Sequence, residues 1–203
     1  MSTVIADDKD LRLNFGSLMP KFSDEQYEEF CRQNPDLLIE RSAEGDIIIV
    51  SPTGGESGNR NFYLTGQLGV WVAQNGTGKG FDSSTEFRLP NGAMRMPDVS
   101  WVRNERWHAL SQSDRRRFPP LCPDFVIELR SPTDRLKKLQ QKMEEYLSNG
   151  AELGWLIDPF EKKIHVYRPG AAVAILDDPK EISGEPLLNG FILDVQALWA
   201  AGE

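Results

Sequence analysis

Two short apolar runs, each wrapped around an acid, constrain this chain more than any other feature. The first is Met96-Pro97-Asp98-Val99-Ser100-Trp101 and the second is Pro123-Asp124-Phe125-Val126-Ile127-Glu128-Leu129-Arg130. A charged, helix-patterned segment containing Lys142 follows, before Trp155. A carboxylate among strand-forming residues is costly to bury without a partner. Two such carboxylates with a cation close behind suggest a divalent-metal site.

Periodicity assigns elements to these runs. Phe125 to Arg130 reads as a buried central strand, with Glu128 and Arg130 on one face by alternation. An internal salt bridge or a strand-end charge is the plain alternative for Glu128. Gly80 to Leu89 and Ala93 to Val102 flank Pro90-Asn91-Gly92, a strong hairpin signal. Alternation places Met94, Met96 and Asp98 on one face of the second of these strands. Pro97 removes a ladder donor, so the strand is at an edge or distorted near Asp98. Ser131 or Thr133 is expected to cap a helix whose buried stripe is Leu136, Leu139, Met143, Tyr146 and Leu147. Lys142 lies at the edge of that stripe, its stem on the core and its ammonium at the rim.

Upstream, Ser23 opens a helix with Gln26 placed for a capping box, and Pro35 ends it. Residues 37–41 and 47–50 read as an antiparallel hairpin. From about Glu56 to Asn75 the period is helical, with Leu64, Leu68, Trp71 and Val72 on one side and Gly76 as C-cap. Glu56 is either a dipole-favoured acid in the first turn or a third carboxylate aimed at a site. Residues 103 to about 122 read as a short helix and a loop. Their Arg115-Arg116-Arg117 run is a solvated surface or, where phosphate is handled, a contact for it. Leu153 to Ile157 pairs with Ile164 to Arg168, and short strands near 173–176 and 191–193 finish the sheet edge before a helical turn. The order from residue 55 is helix, strand, strand, strand, helix, strand, which is an α/β class with a mixed central sheet and helices on its faces.

Composition narrows the function. With 203 residues the chain forms one domain. Its net charge of −8 argues against broad nonspecific nucleic-acid binding, while leaving room for a local basic groove. No apolar run approaches the roughly 18 residues of a membrane span, and the N-terminus lacks a leader pattern, so a cytoplasmic location is expected. Cys31 and Cys122 are isolated and read as thiols. His108 and His165 lack ligand spacing, which disfavours a histidine metal site or a histidine triad.

Taken in order, several motifs resemble a restriction-endonuclease-like family that is multiplied in photosynthetic bacteria. They are Ser51-Pro52-Thr53-Gly54-Gly55-Glu56, Arg95-Met96-Pro97-Asp98-Val99, Pro123 to Asp134, Leu139 to Tyr146 and Gly154-Trp155-Leu156-Ile157-Asp158-Pro159. The family lies within the PD-(D/E)XK phosphodiesterase superfamily, and the resemblance spans roughly residues 22–195. It implies an αβββαβ core, and with the pattern along the chain the single domain divides into residues 1–21 as an arm with no clear period, 22–50 a helix and hairpin, 51–170 the nuclease-like core and 171–203 edge elements. It also implies that Asp98 and Glu128 hold Mg²⁺ (or Mn²⁺), with the Leu129 carbonyl as a further oxygen, and that Glu56 is the helical acid of many members. The superfamily's lysine is expected two residues after Glu128, where Arg130 stands. The resemblance moves that role to Lys142 in the following helix and leaves Arg130 to clamp phosphate or to pair with Glu128.

The implied activity is metal-dependent hydrolysis of nucleic acid, DNA ahead of RNA, with no membrane partner and a homodimer compatible with two-strand cutting. Two carboxylates about 4 Å apart repel by about 4 kcal/mol at an effective dielectric near 20, which a cation relieves. The alternative from another class is a catalytically silent module that keeps the fold to bind nucleic acid or protein. Its site would be a salt-bridge network balanced by Arg130 and Lys142.

Overall fold

Residues 125–129 are all buried, as an unbroken run of strand formers requires, and they form a central strand of a six-stranded sheet. The computed structural model describes residues 10–16 and 21–201. In chain order, β1 (Leu11–Leu13) is followed by α1 (Asp24–Gln33), β2 (Leu38–Arg41) and β3 (Ile47–Val50). Next come α2 (Gly55–Asn75), β4 (Gly78–Asp82), β5 (Phe87–Arg88), β6 (Met94–Arg95) and β7 (Val99–Arg103). Two short helices, α3 (Asn104–Ala109) and α4 (Gln112–Arg116), lead to β8 (Phe125–Leu129), α5 (Leu136–Ser148), β9 (Leu153–Asp158) and β10 (Lys163–Tyr167). The chain closes with β11 (Ala174–Asp177), β12 (Glu181–Ser183), β13 (Ile192–Asp194) and α6 (Val195–Ala200).

The main sheet runs β11-β10-β9-β8-β7-β4. Only β8 and β9 pair in parallel there, because α5 carries the chain back between them; the other pairs are antiparallel. Alternation along β8 sorts its side chains. Phe125, Ile127 and Leu129 join the core built with Leu64, Leu68 and Trp71 of α2. Val126 joins the opposite core, with Met143 and Tyr146 of α5. Glu128 shares Val126's parity, so the α5 face receives the acid. Gly154 of β9 lets α5 sit close, since a Cβ there would fall 2.4 Å from the Met143 Cε. The result is the expected mixed sheet flanked by helices.

A second sheet runs β1-β3-β2-β6-β5, and it corrects the reading of residues 80–102 as two long strands. The turn at Pro90-Asn91-Gly92 does join a hairpin, with Gly92 at φ 84, but only Phe87↔Arg95 and Arg88↔Met94 pair across it. Each expected strand is cut in two, and the halves enter different sheets. The crossing between β6 and β7 falls at Met96-Pro97-Asp98, where Pro97 has no N–H to continue a ladder. The expected alternation of Met94, Met96 and Asp98 therefore does not carry through.

Three further corrections follow. Leu11–Leu13 pairs with β3 rather than lying in an irregular arm, while residues 1–9 and 17–20 of that arm lie outside the described residues. Helix α5 starts at Leu136 after Arg135, not at a Ser131 or Thr133 cap, because Asp134 Oδ2 takes the Ser131 N–H at 2.7 Å and closes a turn ahead of it. Strand β13 pairs with β12 in a sheet of its own rather than finishing the main sheet's edge. No helix among the described residues is long and apolar enough to cross a membrane.

A candidate metal centre between the two sheets

Asp98 immediately precedes β7, and Glu128 lies in β8. The register Val99↔Ile127 brings the two acids to adjoining positions at the end of that pairing. The Leu129 N–H donates to Asp98 Oδ2 at 2.8 Å, and Asn61 Nδ2 of α2 lies 3.3 Å from Oδ1. From the α5 side, Tyr146 donates its hydroxyl to Glu128 Oε1 at 2.9 Å, and Lys142 Nζ stands 3.0 Å from the same oxygen. Glu128 Oε2 takes part in neither bond. Asp98, Glu128, Leu129 and Lys142 thus line one cavity of about 200 Å³.

Three further acids line it. Glu40 of β2 accepts from Lys142 Nζ at 3.0 Å and from the Met96 N–H at 2.9 Å through Oε1, and pairs with Arg95 at 3.1 Å through Oε2. Asp10 accepts the Ser51 N–H at 3.0 Å. Asp134 is the turn-closing acid described above. Five carboxylates and one ammonium line this space.

Burial and the neighbouring charges both act on the acidities. Burial pushes Asp98 up to about 6, against the Leu129 N–H and Lys142. Burial also raises Glu128 strongly; Lys142 opposes the shift, and Asp98 and Glu40 add to it. Burial raises Asp10 as well. Burial works against Lys142's charge, but Glu128 and Glu40 outweigh it and hold the ammonium above its usual range. Glu40 is held below the usual carboxylate range even though it is buried, by Lys142, Arg95 and the Met96 N–H.

The donors suit a hard cation: they are oxygens, and burial, with neighbouring acids adding to it, raises Asp98, Glu128 and Asp10, a cost that a bound cation would offset. No group of three or more acidic, histidine or cysteine side chains among the described residues is set to hold an ion. Two carboxylates, backbone oxygen and water would have to suffice, which matches how Mg²⁺ is commonly bound. A larger hollow of about 520 Å³, lined by Phe62, Val70 and Ile192 among others, has no acid in its lining and offers no such chemistry.

Two expected site residues are elsewhere. Arg130 does not line the cavity; it pairs with Asp158 at 2.7 Å and lies over the Phe160 ring. Strand β8 ends at Leu129, so alternation no longer ties Arg130 to Glu128's face. Glu56 is also outside: its side chain is 69% exposed and lies 3.8 Å from Arg60. Ser57 and Asn61 are the α2 residues at the cavity, and Glu56 is about 100° round the helix from Ser57. The Arg115-Arg116-Arg117 run is not in the lining either; Arg117 pairs with Glu28 of α1.

Residues 24–196 match the model of the Uma2 family, described as "Putative restriction endonuclease". The chain belongs to the Uma2 family. A crystal structure from Anabaena variabilis ATCC 29413, described as a putative nuclease belonging to DUF820, superposes with a TM-score of 0.69 over 92% of this chain and 96% of that one. At 20% identity, that likeness speaks for the fold. No curated protein matches the chain. The family description points to a nuclease, and in this Uma2 protein the cavity described above brings five acids together.

Glu40, Asp10, Asp134 and Asn61 were not among the expected site residues. Glu40 carries the same signal as the acids that were: a carboxylate inside Leu37-Leu38-Ile39-Glu40-Arg41, a strand-forming run.

Proposed function

We propose that this protein is a Mg²⁺- or Mn²⁺-dependent phosphodiesterase that hydrolyses nucleic acid, DNA ahead of RNA. Asp98 and Glu128 are the side-chain ligands, and the Leu129 carbonyl is a further oxygen. The observation that carries this reading is the meeting of Asp98, Glu128 and Lys142 at one cavity, with Lys142 Nζ 3.0 Å from Glu128.

A bound divalent ion supplies a polarised phosphoryl oxygen and a more acidic water. The chain's own residues prepare the rest. The Leu129 N–H fixes the Asp98 carboxylate through Oδ2. Tyr146 and Lys142 fix Glu128 through Oε1, which leaves Oε2 outside those bonds. Lys142 keeps its proton and places a positive charge beside the reacting phosphate. There it stabilises the negative charge that grows as a water oxygen, its proton passing to solvent, bonds to phosphorus and the phosphorus–oxygen bond to the leaving group breaks, the leaving oxygen taking a proton from solvent. Arg130 and Glu56 take no part, since one is committed to Asp158 and the other faces solvent.

The test is cleavage of linear and circular DNA, and of RNA, with Mg²⁺, Mn²⁺ or chelator. Metal-dependent cutting by the native protein, abolished in Asp98→Asn and in Glu128→Gln, is expected. Cutting that survives either change removes the proposal. Nucleic-acid binding without cutting under any metal would favour the silent binding module.

A further inference from the structure

Glu40 comes from β2, ahead of the αβββαβ order and in the other sheet, yet it is buried and reaches the cavity. We propose that Glu40 is a positioning residue for Lys142, supplied by the N-terminal sheet; this rests on the phosphodiesterase reading of the same site.

An ammonium has three N–H donors and rotates freely unless each finds an acceptor. Lys142 has three acceptors around it: Glu128 Oε1 at 3.0 Å, Glu40 Oε1 at 3.0 Å and the Met96 carbonyl at 3.5 Å. Two of these come from the N-terminal half of the chain. Glu40 is itself held rigidly. Its Oε1 takes the Met96 N–H, and its Oε2 takes Arg95, which Glu145 of α5 anchors at 2.6 Å. Both Glu40 oxygens are therefore already engaged by fixed donors, which suits an anchor and makes a poor metal ligand.

The need for such an anchor follows from charge. Lys142 and a divalent ion would both be drawn to Glu128, and like charges at that spacing repel. With Glu128 as sole partner, the ammonium would swing away once the ion was bound. Glu40 and the Met96 carbonyl would hold it in place beside Glu128, keeping its charge next to the phosphate.

Glu40→Gln tests this, because the amide oxygen can still accept the Met96 N–H. The expected result is a kcat lower by about tenfold to a hundredfold, the usual cost of a misplaced catalytic group. KM and the affinity for Mn²⁺ alone, measured well below the melting temperature, should stay close to those of the native protein. Adding Glu40→Gln to Lys142→Met should cost nothing further, since Glu40 acts through the lysine. Glu40→Asp, which keeps the charge but shortens the arm, should fall between native and Glu40→Gln, and it serves as the probe if the latter folds poorly. Native kcat in both Glu40 variants overturns the inference. So does loss of Mn²⁺ binding comparable to Asp98→Asn, which would make Glu40 a ligand, and so do multiplying losses in the double variant. A native protein that neither binds Mn²⁺ nor cuts overturns the site reading itself, a different result from any of these.

Discussion

Lys142 Nζ lies 3.0 Å from Glu128 Oε1, although one residue belongs to a helix and the other to the strand before it. The contact exists because Glu128 points to the α5 face of the sheet and Lys142 sits one position from Met143 in that helix's buried stripe. A compact ammonium fits among three acceptors, whereas a planar guanidinium needs a forked partner and more room. Lys142→Arg should therefore fold but lose cleavage by about a hundredfold or more, the cost of removing one preorganised charge donor. Parallel melting and cleavage assays check this, and near-native cutting would show that any cation serves there.

Arg130 is committed to a buried acid away from the cavity. Asp158 has no solvent exposure, and Arg130 is its cationic partner, alongside the N–H groups of Phe160 and Glu161. Arg130→Ala should lower stability by about 2 kcal/mol, as expected when a buried acceptor loses a partner. At about 2–4 °C per kcal/mol, that is roughly 4–8 °C of melting temperature. Cleavage assayed well below melting should stay near native, and a selective loss of kcat would return Arg130 to the site.

Glu56→Gln should be silent. Its carboxylate is mostly in solvent and outside the cavity lining, and exposed changes of this kind stay within about 0.5 kcal/mol. Native cleavage and melting are expected; a large fall in kcat would mean that the helical acid swings in.

Glu86 makes stability depend on pH. Tyr27 Oη lies 2.7 Å from the Ile39 carbonyl and 2.6 Å from Glu86 Oε1, and it has one proton to give. Both contacts are satisfied when Glu86 keeps its own proton, and burial pushes its carboxyl up to about 8. An acid raised on folding binds more protons in the native state, so its contribution is full below its unfolded value and is lost as pH rises through about 8. Glu86→Gln should flatten that fall in melting curves recorded from pH 5 to 9. An unchanged slope would place the titration elsewhere.

Much of this was legible in the residues. Asp98 and Glu128 stand out because acids do not belong in buried strand runs without a purpose, and Lys142 because it edges an apolar helical stripe. Glu40 bears the same mark, but it lies before the core order and no local pattern says which sheet faces the site. Pro97 announces a break, yet which sheet each half joins depends on pairing with β2 and β8, residues far along the chain. Arg130 lies with Asp158 rather than on Glu128's face because alternation holds only while a strand lasts, and β8 stops one residue earlier.

The most direct test of the account is the melting temperature of the native protein and of Asp98→Asn across a Mn²⁺ titration. Metal at about a hundredfold its dissociation constant adds about 2.7 kcal/mol. For a chain of this size that corresponds to a rise of roughly 5–10 °C. The account predicts that rise in the native protein and its loss in Asp98→Asn; no rise, or the same rise in both, would contradict it.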